Sequence, residues 1–195
     1  MLSILAGFMI AMGGIAYMSI GGIAGALFFS LGLITVLTFN LKLFTGKAGL
    51  LATREIKPKE LVLIWIGNFI GAGICGLLAY ATPLSQVLTQ KAVGIIATRS
   101  QALPQVNLIY GIFCGLLMYI AVTGFKMTGN YLFAIAPVAF FILCGFNHCV
   151  ADMFYTVMAL GSPWHLIPTT IGNIIGCNII PLSQWRGTQS NQKRN

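Results

Sequence analysis

The stretch Phe141 to Phe154, F-I-L-C-G-F-N-H-C-V-A-D-M-F, decides how this chain is organised. It places an imidazole, His148, four residues before a carboxylate, Asp152, inside a run that is otherwise apolar enough for lipid. A charged side chain at the bilayer centre costs about 2.5 to 3.5 kcal/mol even on insertion scales, so ionisable residues there usually line a cavity or permeation path. Gly145 and Asn147 also disfavour one uninterrupted helix. The stretch therefore predicts a broken helix at a pore or binding site.

The composition places the chain in a lipid bilayer. Of its 195 residues, 57% are hydrophobic and 7% are charged, and the mean hydropathy is +0.89. A soluble domain carries about 25% charged residues, so this chain could not cover its surface with polar groups. The formal charge of +8 does not indicate a nucleic-acid partner, because the basic residues are scattered in short links and at the C-terminus.

The cysteines and the N-terminus fit the same class. No two cysteines form a C-x-x-C pair, and all lie in apolar runs, so we expect small buried hydrophobic residues rather than a disulfide or metal site. They are Cys75, Cys114, Cys144, Cys149 and Cys177. The first apolar run has no charged region before it and no cleavage site after it, which predicts a retained span.

Six apolar spans are predicted along the chain. They are Leu2 to Ile20, a second span from Gly21, Leu61 to Tyr80, Val106 to Thr123, Tyr131 to about Leu160, and Leu166 to Leu182. A single helix through the whole second span would overshoot the bilayer and bury Lys42 and Lys47. We expect a break at Leu43 to Lys47; the alternative is that this span ends at Asn40 and an interfacial loop follows. Pro58 is well placed to start the third helix.

Basic residues are unequally divided between the two sides that six spans define. One side holds Arg54, Lys57, Lys59, Lys126, Arg186, Lys193 and Arg194. The other side holds the polar stretch 84–104, predicted to be a connecting loop, with Lys91 and Arg99. This bias predicts a multi-pass protein of the cell (inner or plasma) membrane with both termini cytoplasmic, and with residues 183–195 as a cytoplasmic tail.

A short motif recurs in the two halves of the chain, residues 1–83 and 105–182. The third span contains W-I-G-N-F-I-G from Trp65, and the sixth contains T-I-G-N-I-I-G from Thr170. Each Gly-Asn pair closes a half of three spans whose middle span is interrupted. Because three is an odd number, the halves are predicted to be inverted repeats, and paired interruptions in inverted repeats point to a translocation site near the midplane.

Together these motifs resemble the formate/nitrite transporter family of pentameric anion channels. The resemblance covers nearly the whole chain and is carried by the following residues: F-S-L-G-L from Phe29 to Leu33, L-F-T-G from Leu43 to Gly46, the pairs Gly67-Asn68 and Gly172-Asn173, and the fifth-span stretch Phe141 to Phe154. It implies an all-α membrane protein with six spans, spans two and five broken, an aquaporin-like protomer with its own pore, and a homopentamer.

The resemblance also assigns expected roles to individual residues. Phe29, Leu33 and Phe141 match apolar constriction residues, for which ordinary core packing is the alternative. Leu43, Phe44 and Thr45 match the loop of the broken second span, in which the threonine faces the central histidine, His148. No cofactor and no metal is expected. The chain begins in its first span, so gating by the N-terminal helix of the family is not expected.

Several positions depart from the family pattern. Lys42 stands where an acidic residue is usual, Asn147 where glutamate is usual, Asp152 where asparagine is usual, and Asn130 where a lysine is usual, with Lys126 one turn earlier. One interpretation is that Lys42 and Asp152 compensate for each other as an exchanged charge pair.

The function implied is passage of a small monovalent weak-acid anion such as formate or nitrite. Lysines near the mouths would concentrate the anion, apolar rings would oppose a bare ion, and His148 could protonate it. The alternatives are a channel for hydrosulfide, lactate or ammonia, and a non-transporting homologue. An enzyme is not expected, because no G-x-S-x-G elbow occurs and His148 and His165 offer no pair of haem ligands inside the bilayer.

Overall fold

The computed structural model describes the backbone of residues 1–192 and the side chains of residues 1–184. This part of the chain is helical, without a strand. Its helices, in chain order, are α1 (Leu2–Ile20), α2 (Gly22–Thr38), α3 (Phe44–Ala48), α4 (Pro58–Tyr80), α5 (Ser85–Gln101), α6 (Pro104–Thr128), α7 (Leu132–Leu143), α8 (Cys149–Ala159) and α9 (Leu166–Gln192). A 3-10 turn, Gly49–Leu51, continues α3. Lys193 and Arg194 of the predicted tail lie outside the described residues.

Within the described residues, four helices are long and apolar enough to cross a membrane: α1, α4, α6 and the first part of α9. Helices α2, α7 and α8 are apolar but shorter. The predicted first span coincides with α1, and α4 begins at Pro58, as predicted. Many large apolar side chains are exposed on the outside of the bundle, among them Leu63, Leu77 and Phe140, which suits a lipid-facing surface.

The second and fifth apolar stretches are each split into two helices. The fifth is interrupted at residues 144–148, which confirms the break near His148. In the second stretch the interruption covers residues 39–43, so the prediction of a break at Leu43 to Lys47 was wrong by about one helical turn. Asn40 adopts a left-handed backbone (φ 48°), which ends α2. The alternative of a plain loop after Asn40 was also wrong, because Phe44–Ala48 is helical.

The structure corrects the prediction of a connecting loop at 84–104. Residues Ser85–Gln101 form α5, which packs against α8 and α1. Leu88, Ala92 and Ile96 are buried at intervals of four residues, which is the spacing of one helix face. Helix α9 begins at Leu166, where the sixth span was predicted to begin, and its backbone continues into the predicted tail as far as Gln192. Four of the five cysteines are buried, but Cys144 is exposed in the fifth-span break.

Glycine lets the helices of each half approach closely. A Cβ atom at Gly71 of α4 would collide with the carbonyl oxygen of Ile4 in α1, and one at Gly176 of α9 would collide with that of Ile112 in α6. Helices α1 and α4 are thus packed as α6 and α9 are. Helix α3 packs against α9, and α8 packs against α4, so each short helix contacts the last helix of the other half.

Candidate functional site

The two interrupted stretches meet at a polar contact in the middle of the bundle. Thr45, the second residue of α3, and His148, which precedes α8, are both 2% exposed, and Thr45 Oγ1 lies 2.9 Å from His148 Nε2. Helix α3 begins immediately after Leu43 and α8 begins immediately after His148, so both helix N-termini lie close to this contact. The expected pairing of the threonine with the histidine is present as a hydrogen bond.

The hydrogen bonds of His148 define which nitrogen carries its proton. The backbone N–H of Ala151 donates to His148 Nδ1 over 3.2 Å, so Nδ1 is an acceptor. A neutral imidazole that accepts at one nitrogen carries its proton on the other. Nε2–H therefore donates to Thr45 Oγ1, and the threonine hydroxyl proton remains available as a donor. A second proton on the ring would require the Ala151 contact to open.

Two buried asparagines hold the interrupted helices in place. Asn68 Oδ1 accepts the N–H of Phe44, the first residue of α3, over 2.8 Å. Asn173 Oδ1 accepts the N–H of Cys149, the first residue of α8, over 2.9 Å. Each side-chain amide also donates to the carbonyl two residues earlier than the N–H that it accepts. Asn68 Nδ2 donates to the carbonyl of Lys42 and Asn173 Nδ2 to that of Asn147, both over 2.9 Å. The asparagines of the recurring Gly-Asn pairs thus satisfy backbone groups that an interrupted helix would leave unpaired.

Aromatic and aliphatic side chains surround the polar contact. The ring of Phe141 is stacked on that of His148, with 5.6 Å between centroids, and meets Phe29 edge to face at 6.0 Å. Leu33, Leu43 and Phe44 are 1%, 1% and 2% exposed. The structure therefore brings Phe29, Phe141, Thr45 and His148 together, and it buries the three remaining apolar candidates.

Cavities lie at opposite ends of α6. The larger one, of about 300 Å³, is lined by Phe141, His148 and the first turns of α6, including Asn107. A small one, of about 30 Å³, is lined by Leu43, Lys47 and the last turns of α6. At 1.5 Å per residue, these two segments of α6 are about 18 Å or more apart along its axis. His148 lines the larger cavity, and Leu43 and Gly46, which lie within two residues of Thr45, line the small one.

The charged residues do not pair as expected. Asp152, fully buried, forms an ion pair with Arg99 of α5, whose side chain is 12% exposed. Lys42 Nζ instead lies 3.3 Å from Glu60 Oε1, and both of these side chains are about half exposed. The interpretation of Lys42 and Asp152 as an exchanged pair was therefore wrong, because each has its own partner.

Arg99 was missed because its segment was taken as a loop. Once 84–104 is considered as a helix, the signal is present, since Arg99 follows Ile96 by three residues on the face that already buries Leu88 and Ala92. The guanidinium carbon lies 5.7 Å from the centroid of the Tyr155 ring. The carbonyl oxygen of Arg99 accepts from Asn107 Nδ2 over 2.8 Å, which fixes the end of α5 against α6.

The structure also defines the contacts of the other residues that depart from the family pattern. Asn147 Nδ2 donates to Asn107 Oδ1 over 2.8 Å and contacts Thr169 Oγ1 at 3.4 Å. Asn130 Oδ1 accepts the N–H of Leu132 over 2.9 Å at the start of α7. Lys126 is exposed and contributes to the wall of the small cavity. Asn107 and Thr169 were not predicted, and a single asparagine or threonine in an apolar span carries no pattern that would select it.

Comparison with known proteins shows the family to which this chain belongs. The family model for the formate/nitrite transporter matches residues 1–185. The chain is 28% identical to the formate channel FocA of Haemophilus influenzae, over 79% of this chain and 69% of that protein. It is 32% identical to YrhG, a transporter of Bacillus subtilis, over 81% of this chain and 68% of that protein.

A solved structure shares the fold. A pentameric formate channel with formate bound superposes with a TM-score of 0.77 at 24% identity, covering 97% of this chain and 95% of that one. The chain therefore belongs to the formate/nitrite transporter family of membrane channels.

Proposed function

We propose that this protein is a channel or transporter for small monovalent anions of weak acids, such as formate or nitrite. The observation that carries the proposal is the hydrogen bond between Thr45 and His148 at the meeting point of two interrupted helices. Two hydrogen-bonding side chains in fixed geometry, enclosed by Phe29 and Phe141, suit brief binding of one small polar solute.

The proposed pathway joins the two cavities at the ends of α6. Its central hydrogen-bond donors are Thr45 and His148. The larger cavity includes Asn147 and Asp152, and Lys42 lies toward the mouth at the other end. The apolar constrictions of the pathway are formed by Phe29, Leu33, Leu43, Phe44 and Phe141. Apolar constrictions oppose a bare ion, because desolvating an unpaired charge is costly. Lys47 and Lys126 at the small cavity would raise the local anion concentration. For His148 to give a proton to the anion, the ring must take up a second proton at Nδ1, and the Ala151 N–H would have to leave that nitrogen.

The proposed topology is six spans in two inverted halves, with α2 and α3 forming one broken span and α7 and α8 another. Equivalent positions of the two halves contact each other. Trp65 Nε1 donates to Thr170 Oγ1 over 3.1 Å, and Ser30 Oγ donates to the carbonyl of Ile135 over 3.4 Å; both pairs are 105 residues apart. Contacts between equivalent residues are typical of positions near a two-fold axis. Three spans in each half then require the halves to be inverted.

We further propose that the protein forms a homopentamer in the cell membrane, with both termini cytoplasmic. The pentameric state of the solved formate channel and the similarity of fold support the assembly. The exposed apolar side chains of α2, α4 and α7 supply surface for lipid or for neighbouring protomers. The unequal distribution of lysine and arginine supports the orientation.

Uptake into proteoliposomes tests the proposed function. Formate, nitrite, lactate, hydrosulfide and ammonia are supplied separately, between about pH 5 and pH 8, a range that spans the ordinary histidine titration. Thr45→Val keeps the shape of the side chain but removes the hydroxyl, and Thr45→Ser keeps the hydroxyl. His148→Asn is matched by His165→Asn, because His165 is also buried but lies outside the proposed pathway.

Saturable uptake of formate or nitrite, reduced about tenfold or more in Thr45→Val and His148→Asn and retained in the two matched variants, is the expected result. Saturable uptake of another solute alone would change the substrate assignment. Absence of all uptake from folded, pentameric protein would reject the channel and indicate a non-transporting homologue.

A further inference from the structure

One charged side chain from outside the broken helices lines the larger cavity. Arg99 comes from α5, a helix that lies between the two halves of the chain, and it shares the cavity wall with His148, Asn107 and Asn147. A guanidinium with little exposure can be retained only if it is paired and hydrogen-bonded. The pairing of Arg99 therefore determines how this cavity can treat an anion.

The position of the guanidinium is fixed from several directions. Asp152 pairs with it, and the Tyr155 ring lies beneath it. The backbone of Arg99 is bound to Asn107. Asp152 itself is anchored in the first turn of α8, where its N–H donates to the carbonyl of His148 over 2.9 Å. The carboxylate that pairs with Arg99 therefore lies one helical turn from the central histidine.

Some polar atoms in the same wall have no hydrogen-bond partner. Within the described part of the chain, the hydroxyl of Tyr155 has none, and the carboxylate oxygens of Asp152 have none besides Arg99. All of these groups line the cavity of about 300 Å³. A water molecule takes about 30 Å³ of liquid volume, so this space is large enough for a small anion together with a few waters.

We propose that Arg99 is an anion-binding residue of the larger cavity, and that Asp152 is an internal carboxylate which shares the guanidinium with the permeating anion and competes with it for the N–H donors. This inference rests on the proposed channel function. A guanidinium presents a planar fork of donors that matches the two coplanar oxygens of a carboxylate or of nitrite. Asp152 thus carries the same functional group as formate, and it binds the same guanidinium.

The competition between the two carboxylates sets how tightly the cavity binds. Without Asp152, a buried guanidinium would hold an anion strongly and release it slowly. With Asp152 held on the same guanidinium, the anion is bound less tightly and is released to the pathway toward Thr45 and His148. Conduction needs this balance, because a site must bind well enough to admit the ion and weakly enough to let it leave.

The test measures binding and transport separately. Binding is read from the broadening of the formate proton resonance on titration of formate into the detergent-solubilised pentamer, and transport from formate uptake into proteoliposomes. The variants are Arg99→Gln, Asp152→Asn and the double variant Arg99→Gln/Asp152→Asn, which leaves no unpaired buried charge if Arg99→Gln alone fails to fold. Lys91→Gln removes an exposed cation from the same helix and serves as the matched control.

We expect Asp152→Asn to lower the formate concentration for half-maximal broadening by about tenfold and to slow maximal uptake, as expected when a competing charged partner is removed. Arg99→Gln and the double variant should raise that concentration by about tenfold, and Lys91→Gln should not change it.

Broadening in the double variant equal to that of the wild type would overturn the role of Arg99, and so would the absence of broadening in the wild type. Uptake that depends on Thr45 but is unaffected in the Arg99 variants would leave the channel proposal intact and reject only this site. Binding that depends on Arg99, in protein that transports no formate, would support the anion site at Arg99 and reject the channel proposal.

Discussion

Asn68 and Asn173 make the same two contacts in the two halves of the molecule. Each side chain accepts the N–H of a residue 24 positions earlier, where a short helix begins, and donates to a carbonyl 26 positions earlier. Both side chains are fully buried. The interrupted backbone is therefore stabilised by one amide in each half, since no solvent is available there to satisfy its groups.

We expect Asn68→Ala and Asn173→Ala each to lower the apparent Tm of the detergent-solubilised protein by several degrees. Each change leaves a buried N–H and a buried carbonyl unpaired, and each such group costs about 1 to 3 kcal/mol. Asn130→Ala removes an exposed cap at the start of α7 and should cost less, about 0.5 to 1 kcal/mol. Equal losses in all three variants would contradict the special role of the buried pair.

These interruptions also mark how far the sequence alone can predict the site. The lysines within the overlong second span and the His148 stretch indicated that two interruptions exist, because a charged or polar residue in an apolar run has few structural explanations. The exact position of the second break could not be predicted, since it depends on the bond from Phe44 to Asn68, 24 residues away. A local pattern contains no information about such a contact.

Helix α5 was missed for a different reason. Its polar residues resembled a loop, and only the recurrence of Leu88, Ala92 and Ile96 indicates a helix with one buried face. Because Arg99 was assigned to the outer loop, its pairing with Asp152 could not be foreseen. The candidate charge pair was sought instead between Asp152 and Lys42, another position that departs from the family pattern.

Phe29 and its neighbour Phe28 offer a matched test of the apolar constriction. Phe29 is 1% exposed and meets Phe141, whereas Phe28 is 50% exposed on the outside of α2. We expect Phe29→Ala to open the pathway and to admit lactate at a rate closer to that of formate, measured by uptake into proteoliposomes. Phe28→Ala should leave the ratio of the two rates unchanged. An unchanged ratio in Phe29→Ala, in protein that remains pentameric, would argue for simple core packing.

His165 predicts a loss of stability in acid. It lies in the turn between α8 and α9, 4% exposed, and burial, with a smaller contribution from the charge of Arg99, lowers its pKa from 6.5 to about 4. Between these two values the unfolded chain binds a proton that the folded chain does not, so stability rises with pH across this range and falls as pH drops from about 6.5 to 4.

His165→Asn should weaken this acid dependence, which apparent Tm measured from pH 4 to pH 8 would reveal. Removing the histidine removes the proton uptake of the unfolded chain at this position. Lys91→Gln, which alters an exposed cation on α5, should leave the dependence as it is in the wild type. The same slope in His165→Asn and the wild type would show that His165 is not the group responsible.

The proposed orientation predicts which of two exposed links can be modified from outside the cell. Asn130 precedes α7 and Ser162 follows α8, and both are exposed. In a Cys144→Ser background, which removes the exposed native thiol, Ser162→Cys should react with a membrane-impermeant maleimide on intact cells. Asn130→Cys should react only after the membrane is opened. The reverse pattern would place the termini outside, and labelling of both from one side would contradict a single crossing by α7 and α8.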